Sequence, residues 1–295
     1  MTARTRTFTS APSTLPLMLK AVLPALPVVG GLPGIRHQRG NEPDVVLERR
    51  GVRTDAAHLA AYREVCGFGP NPALPATYPH MAAFGLHLTL MTDTAFPFAP
   101  MGLVHLRNSI TQLRTITADE TFDVAVRAAD LRPHPKGHLI DLVTDVSIGG
   151  DAVWREITTL FSRGRGGGTE VSTAPLDGVD APDGAVQWKL PGDLGRRYGS
   201  VSGDRNPIHL YPLTAKAFGF PSNIAHGMWT KANCLATLQS RLPEAYTVDV
   251  EFQKPILLPS TVAFGSEKSG DTTTFGVVGV KKASTHLVGQ VTPAA

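Results

Sequence analysis

Apolar residues recur along this chain with two different periods, and the changes of period mark its elements. Over residues 55–66 the spacing is helical: Leu59, Tyr62 and Cys66 share a face, Asp55 stands where an N-cap belongs, and Gly67 supplies the stop. After a Pro- and Gly-rich loop ending at Tyr78-Pro79, residues 81–91 are almost continuously apolar and predict a buried helix. Beyond Phe96-Pro97-Phe98 the period falls towards two and β-branched residues accumulate, predicting strands over 105–116, 121–129, 139–148 and 152–161. Pro133 to Gly137 reads as a turn between two of them. Arg163 and the glycines after it open a Pro/Gly/Asp-rich tract running to about Asp183, which reads as a flexible linker. A second set of elements follows. Short helices are predicted over 193–201 and 213–218, and the latter ends at Gly219. Met228, Ala232, Leu235, Leu238 and Leu242 mark one face of a central helix closed by Pro243. Strands are predicted over 246–252, 262–267, 273–281 and 286–292.

The order of elements therefore repeats, which predicts an α+β protein made of two similar halves. Gln112 meets Gln253, His80 meets His226, and Asn71-Pro72 meets Asn206-Pro207, with offsets that drift as loop lengths differ. The instructive place is where the repeat fails. Gly67 to Leu74 stands opposite Gly203 to His209, and it keeps the turn residues but has neither the Asp nor the His. Asp204 and His209 are therefore candidates for a site that only the second half carries. The division expected is an N-terminal arm (1–40), a non-catalytic unit (41–165), a linker (166–184) and a catalytic unit (185–295).

Composition adds limits. A chain of 295 residues holds two units of roughly 130–150 residues each. A net charge of +3 gives no reason to expect a nucleic-acid partner. Cys66 and Cys234 sit among helix-like apolar residues and are expected as buried free thiols. Arg4 and Arg6 precede an apolar run over 15–35 that superficially resembles a signal sequence, but Pro16, Pro24, Pro27 and Pro33 interrupt it. No unbroken apolar run is long enough for a membrane span, so the arm is expected to be a short amphipathic surface segment on a cytoplasmic protein.

The chemistry is expected between Tyr198 and Met228. Asp204 and His209 lie five apart in a turn-rich loop with Asn206-Pro207 between them, and His226-Gly227-Met228 opens the central helix. The stretch Ser-Gly-Asp-Arg-Asn-Pro-Ile-His (202–209), followed by Ile-Ala-His-Gly-Met (224–228), resembles the signature of the MaoC-like (R)-specific enoyl-CoA hydratases and 3-hydroxyacyl-thioester dehydratases. Phe-Gln-Lys-Pro-Ile-Leu-Leu-Pro (252–259) fits the same family. The resemblance spans roughly residues 45–295 and is similar to the actinobacterial double members. It implies a double hot-dog fold, two tandem antiparallel sheets each wrapped around a central helix. It also implies that the first half accommodates the acyl chain while the second carries catalysis, with no metal and no organic cofactor.

Hydrating a trans-2-enoyl thioester needs a water activated towards C3 and a proton delivered at C2, and an Asp/His pair can divide those tasks. Asp204 and His209 are expected to activate the water jointly, with His209 favoured as the base and Asp204 as the proton donor, an order the sequence does not fix. Asn206 would order the loop, and the Gly227 N–H, at a helix start, would receive the charge on the thioester oxygen. The helix serine of some single-domain members has no counterpart in Ala232-Asn233-Cys234-Leu235. His226, matched by His80 in the silent half, reads as structural. His134 and His138 are denied a helix by Pro133, Pro135 and Gly137 and are not expected to hold a metal. Gly164 to Gly168 does not open a helix and fails as a dinucleotide fingerprint. Ser200 and Ser202 lack a nucleophile elbow. Lys216, Lys231 and Lys254 are candidate contacts for CoA phosphates. The expected partner is an acyl-CoA or acyl carrier protein thioester, and the chain could form a homodimer. An acyl-thioester hydrolase would need a carboxylate near the central helix, where 228–241 has none. A non-catalytic acyl-thioester binding protein would leave Asp204 and His209 apart.

Overall fold

The structure is a computed structural model that describes residues 4–23, 42–164 and 176–294. Two compact units emerge, and they do not follow the halves of the sequence. The first gathers Met1–Val52, His80–Leu106 and Thr121–Thr173, and the second Arg53–Pro79, Arg107–Glu120 and Ala174–Ala295.

In the first unit five strands are ordered β1-β2-β4-β5-β6: β1 Arg4–Phe8, β2 Val45–Arg53, β4 Thr121–His134, β5 Gly137–Ile148 and β6 Asp151–Arg163. The long hairpins β4–β5 and β5–β6 are antiparallel, whereas β1 joins β2 in parallel. Alternation sets the buried face of β4, where Phe122, Val124, Val126 and Ala128 point inward. β4 runs past the predicted end at Ala129 because a bulge, with Asp130 at φ 53°, restarts the ladder at Arg132. Gly137 closes the β4–β5 turn at φ 153°, where a Cβ would lie 2.0 Å from the Ser162 carbonyl oxygen. Helix α3 (Pro79–Met91) carries His80 against β6 and His87 against β5.

The expected arm contributes more than a surface segment. Its residues 4–8 are β1, and α1 (Thr14–Val22) buries Met18 and Ala21 while Leu15 and Leu19 stay exposed. Residues 1–3 and 24–40 of the arm lie outside the described residues, as does the linker over 166–175. From Leu176 the linker is laid down rather than free. Leu176 is buried, and the Asp183 carbonyl oxygen would be 2.2 Å from a Cβ on Gly265.

The second unit holds β3 (Leu103–Gln112, from Arg107 on), β7 Val186–Leu190, β8 Tyr246–Phe252, β9 Ser260–Ser269, β10 Thr272–Gly279 and β11 Thr285–Pro293. Their order is β3-β8-β11-β10-β9-β7, antiparallel throughout. The duplication is visible in one register. Ile110 pairs with Val248 and Arg107 with Glu251, and the 141-residue offset that carries Gln112 onto Gln253 exchanges these two pairs. Helix α7 (Gly227–Leu238) lies against this sheet, with Trp229 edge-on to Trp188 of β7 and Lys231 bonded to β3 and β8.

Helix α2 (Ala56–Cys66) packs here as well. Its ends are those read from the sequence: the Asp55 side chain accepts from the His58 N–H at 2.8 Å, and Gly67 takes φ 80°. It rests on α4 (Leu194–Ser202), and the Trp229 indole of α7 donates to the Val65 carbonyl at 2.8 Å. Both Cys66 and Cys234 are buried free thiols.

Candidate active site

The loop that carries Asp204 is built by close approach. A Cβ at Gly195 would lie 2.0 Å from the His209 carbonyl oxygen, and one at Gly199 would lie 2.9 Å from that of Asp204. Helix α4 can lie this near the loop only because both positions lack side chains. Gly203 ends α4 at φ 76°, and local bonds then set each residue. The Asp204 N–H donates to Ser202 Oγ at 3.1 Å, and the Asn206 N–H donates to Asp204 Oδ1 at 3.1 Å. The Asn206 side chain accepts from the Ile208 N–H at 3.3 Å, capping the one-turn helix α5 (Pro207–Leu210). Pro207 at the first helical position adds to that stop-and-turn.

His209 sits on α5 and is buried. Its Nδ1 lies 2.9 Å from the Ile224 carbonyl oxygen. A carbonyl only accepts, so Nδ1 carries the proton and the neutral ring presents its lone pair at Nε2. The segment before α7 pins this arrangement. The Ile224 N–H donates to the Ile208 carbonyl, and Asn223 Nδ2 donates to the carbonyls of Gly192 and His209. Sequence reading passed over Gly195, Gly199, Asn223 and Ile224. The short Gly-x-x-x-Gly spacing in a predicted helix was the one signal available for the first two.

His226, the N-cap residue of α7, stacks on His209 with ring centroids 3.7 Å apart. Its Nε2 donates to the Asp204 carbonyl at 3.0 Å and lies 3.7 Å from Asp204 Oδ2. Tyr198 tilts against its other side at 4.9 Å. Burial pushes His226 down to about 3, the adjacent His209 adds to that, and Asp204 works against it. His209 is lowered by burial too, offset by Asp204 and the Ile224 bond. Both rings are therefore neutral at neutral pH. The Asp204 side chain keeps 27% of its exposure.

Gly227 is the first residue of α7, where the backbone N–H has no acceptor within the helix. Its lack of a side chain has a packing reason: a Cβ would come within 3.0–3.2 Å of the Phe252 ring. The structure thus brings Asp204, His209 and the start of α7 into one cluster, with Asn206 beneath it as a cap. Side-chain ligand atoms of Asp204, His209 and His226 lie within 4.8 Å of one another, so a cation could be held there. A second such group, His80, His87 and Glu156, is buried in the first unit. Lys231 cannot serve a phosphate: it is fully buried, and its Nζ donates to the carbonyls of Asn108 and Val248 and to Asn108 Oδ1. Lys216 and Lys254 are exposed.

Comparison with known proteins finds relatives of this chain. The sequence profile of the MaoC like domain matches residues 181–290. The 3-hydroxyacyl-thioester dehydratase X (HtdX) of Mycobacterium tuberculosis is 40% identical over 255 residues, covering 85% of this chain and 87% of its own. Its crystal structure superposes with a TM-score of 0.75 at 36% identity, over 84% of this chain and 100% of that one. The probable enoyl-CoA hydratase 2 of Dictyostelium discoideum is 29% identical over 45% of this chain and 48% of its own. A further M. tuberculosis protein solved as a double hotdog fold matches with a TM-score of 0.54 at 13% identity, over 86% of this chain and 95% of that one, which bears on the fold alone.

Proposed function

The chain belongs to the MaoC-like dehydratase family, and from that premise we propose that it interconverts trans-2-enoyl and (3R)-hydroxyacyl thioesters through Asp204 and His209. It is a hydro-lyase of the dehydratase and enoyl-CoA hydratase kind, on an α+β double hot-dog fold. The pair of residues and the stereochemistry are our own reading. In hydration, a water between the two side chains gives a proton to His209 Nε2 as its oxygen bonds to C3. The C2–C3 π electrons move towards the thioester carbonyl, whose oxygen takes up charge at the Gly227 N–H. The proton held on His209 passes to Asp204, whose carboxyl group delivers it to C2, so the water's OH ends on C3 and its proton on C2; dehydration runs the same steps in reverse.

The observation that carries this reading is the bond from His209 Nδ1 to Ile224, which leaves Nε2 as a base beside a carboxylate that reaches solvent. Helix α7 over Gly227–Leu238 contains no carboxylate of its own, and the one near its start, Asp204, is assigned to proton transfer with His209. We assign the acyl chain to the sequence half over 41–165 and the carrier to CoA or acyl carrier protein, acting in the cytoplasm as a monomer or homodimer. Among the described residues no helix is long and apolar enough to cross a membrane.

Purified Asp204→Asn and His209→Ala tested on crotonyl-CoA, with loss of the enoyl absorbance as readout, decide the matter. Each is expected to lose about 10²–10⁴-fold in kcat, at unchanged Tm for Asp204→Asn and with a lowered Tm for the folded His209→Ala, whose ring is buried. Hydration at the wild-type rate by either folded variant would overturn the assignment.

A further inference from the structure

We propose that His58, from the N-terminal half of the sequence, is a positioning residue that fixes the Asp204 loop from outside it; the inference rests on the hydratase reading above. His58 is on the first turn of α2, and its ring spans two partners. Nε2 lies 2.7 Å from the Val201 carbonyl oxygen and Nδ1 2.9 Å from the Tyr78 hydroxyl. The carbonyl can only accept, so Nε2–H donates to it and Nδ1 accepts from the tyrosine. Tyr78 is suited to that part. Burial, with Asp55 nearby, pushes its phenol up to about 12, so it stays a donor.

Val201 lies in the last turn of α4, where carbonyls have no partner within the helix. Immediately after it, Ser202 Oγ takes the Asp204 N–H, Gly203 turns the chain, and the Asp204 carbonyl receives His226. Apart from the close approach of α4, the bonds that set Asp204 are short-range ones within the loop and the single bond from His226. The His58 bond joins sequence positions 143 apart and ties the root of that loop to another helix.

Aromatic rings pack around His58's partners. Tyr62 meets Tyr78 edge-on at 5.2 Å, donates to Thr77 Oγ1 at 2.7 Å, and tilts against Tyr198 at 6.4 Å. Tyr198 in turn leans on His226. Helix α2 and Tyr78 are therefore part of the frame of the site, although the sequence repeat assigns them to the silent half. His58 touches neither Asp204 nor His209 side chains. It acts by holding the α4 terminus, and an error of about 1 Å at a reacting group costs up to about 10²-fold in rate.

The test uses the full-length protein with His58→Phe, which keeps a ring and removes both bonds, and His58→Gln, which restores a donor. His58→Phe is expected to lower kcat about 10–50-fold while KM for crotonyl-CoA stays within about twofold, and His58→Gln is expected to recover most of that loss. Leu59→Ala, next along the same helix and buried, controls for stability alone and is expected to keep kcat within about twofold. Hydrogen exchange read independently of activity is expected to quicken over 202–206 in His58→Phe. Tyr78→Phe is expected to act in the same direction but less, which covers the case where His58→Phe fails to fold. Unchanged kcat and exchange in His58→Phe, or an equal loss of kcat in Leu59→Ala, overturns the proposal. A wild type that hydrates no enoyl thioester while exchange still quickens in His58→Phe overturns the hydratase reading and leaves the clasp standing.

Discussion

Two helices in this protein begin with a buried imidazole, and their surroundings differ. At the start of α3, the His80 Nδ1 lies 2.8 Å from Glu156, which is fully buried, and His87 lies edge-on at 5.2 Å with its Nε2 2.7 Å from Thr144 Oγ1. At the start of α7, His226 bonds a backbone carbonyl and stacks on a second histidine, and the nearby carboxylate of Asp204 stays partly exposed. The duplicated position kept its residue type in both places. In one it is sealed into a core, and in the other it lines a group of side chains that solvent can reach. A buried hydrogen-bonded pair enclosed by the core contributes to cohesion and little to chemistry, because nothing can enter to exchange a proton with it.

That contrast breaks most sharply on substitution. Asp204→Asn should abolish most of the rate and leave stability alone, and His209→Ala should abolish most of the rate while losing stability only to the extent that its buried ring is removed. His80→Ala should do the reverse. Removing the imidazole takes a hydrogen-bond partner from the fully buried Glu156 side chain and is expected to destabilise by about 1–3 kcal/mol, while kcat on crotonyl-CoA stays within about threefold. Denaturant unfolding alongside the assay measures both, and a large rate loss in His80→Ala at unchanged stability would end the contrast.

Acid should expose what the two clusters share. Burial holds His87 and His226 near 3, below the ordinary value of 6.5, and lowers His209 as well. Between those values the unfolded chain binds protons that the folded chain does not. Stability is then full above about pH 6.5 and is lost as pH falls towards 3, by up to about 1.4 kcal/mol per pH unit for each histidine. Tm measured from pH 7 to pH 4 should fall along that window. His87→Gln should flatten the fall and leave the pH–rate profile unmoved. A profile that shifts with His87 would mean that the first unit's cluster takes part in the chemistry.

The smallest effect concerns the helix start itself. Gly227→Ala should cost about tenfold in kcat because the new methyl meets Phe252, and Phe252→Leu in the same chain should restore most of it. No rescue would mean that the methyl obstructs the substrate rather than the ring.

Legibility followed the range of each signal. Helix α2 could be read at both ends because Asp55 and Gly67 act within a turn of themselves. The strands β4, β5 and β6 could be read from alternation, and β8 matched to the residue. Strand β2 was missed because Glu48, Arg49, Arg50 and Gly51 break its apolar pattern, and β7 because five residues are too few to show a period. Strand β1 was missed for a third reason: its pairing with β2 is set some forty residues away.

The sequence by itself determined the chemical inventory: an Asp and a His five apart with a proline turn between them, a glycine opening an apolar helix, and a first half-chain lacking the pair. Only the tertiary structure decided which atoms are free to act. The His209 tautomer depends on the Ile224 carbonyl, the neutrality of both histidines on burial, and the place of Asp204 on glycines that let α4 come close. It also drew α2 away from its own half and set it against the catalytic loop. Those outcomes turn on distances between residues far apart in the chain, and no local pattern encodes them.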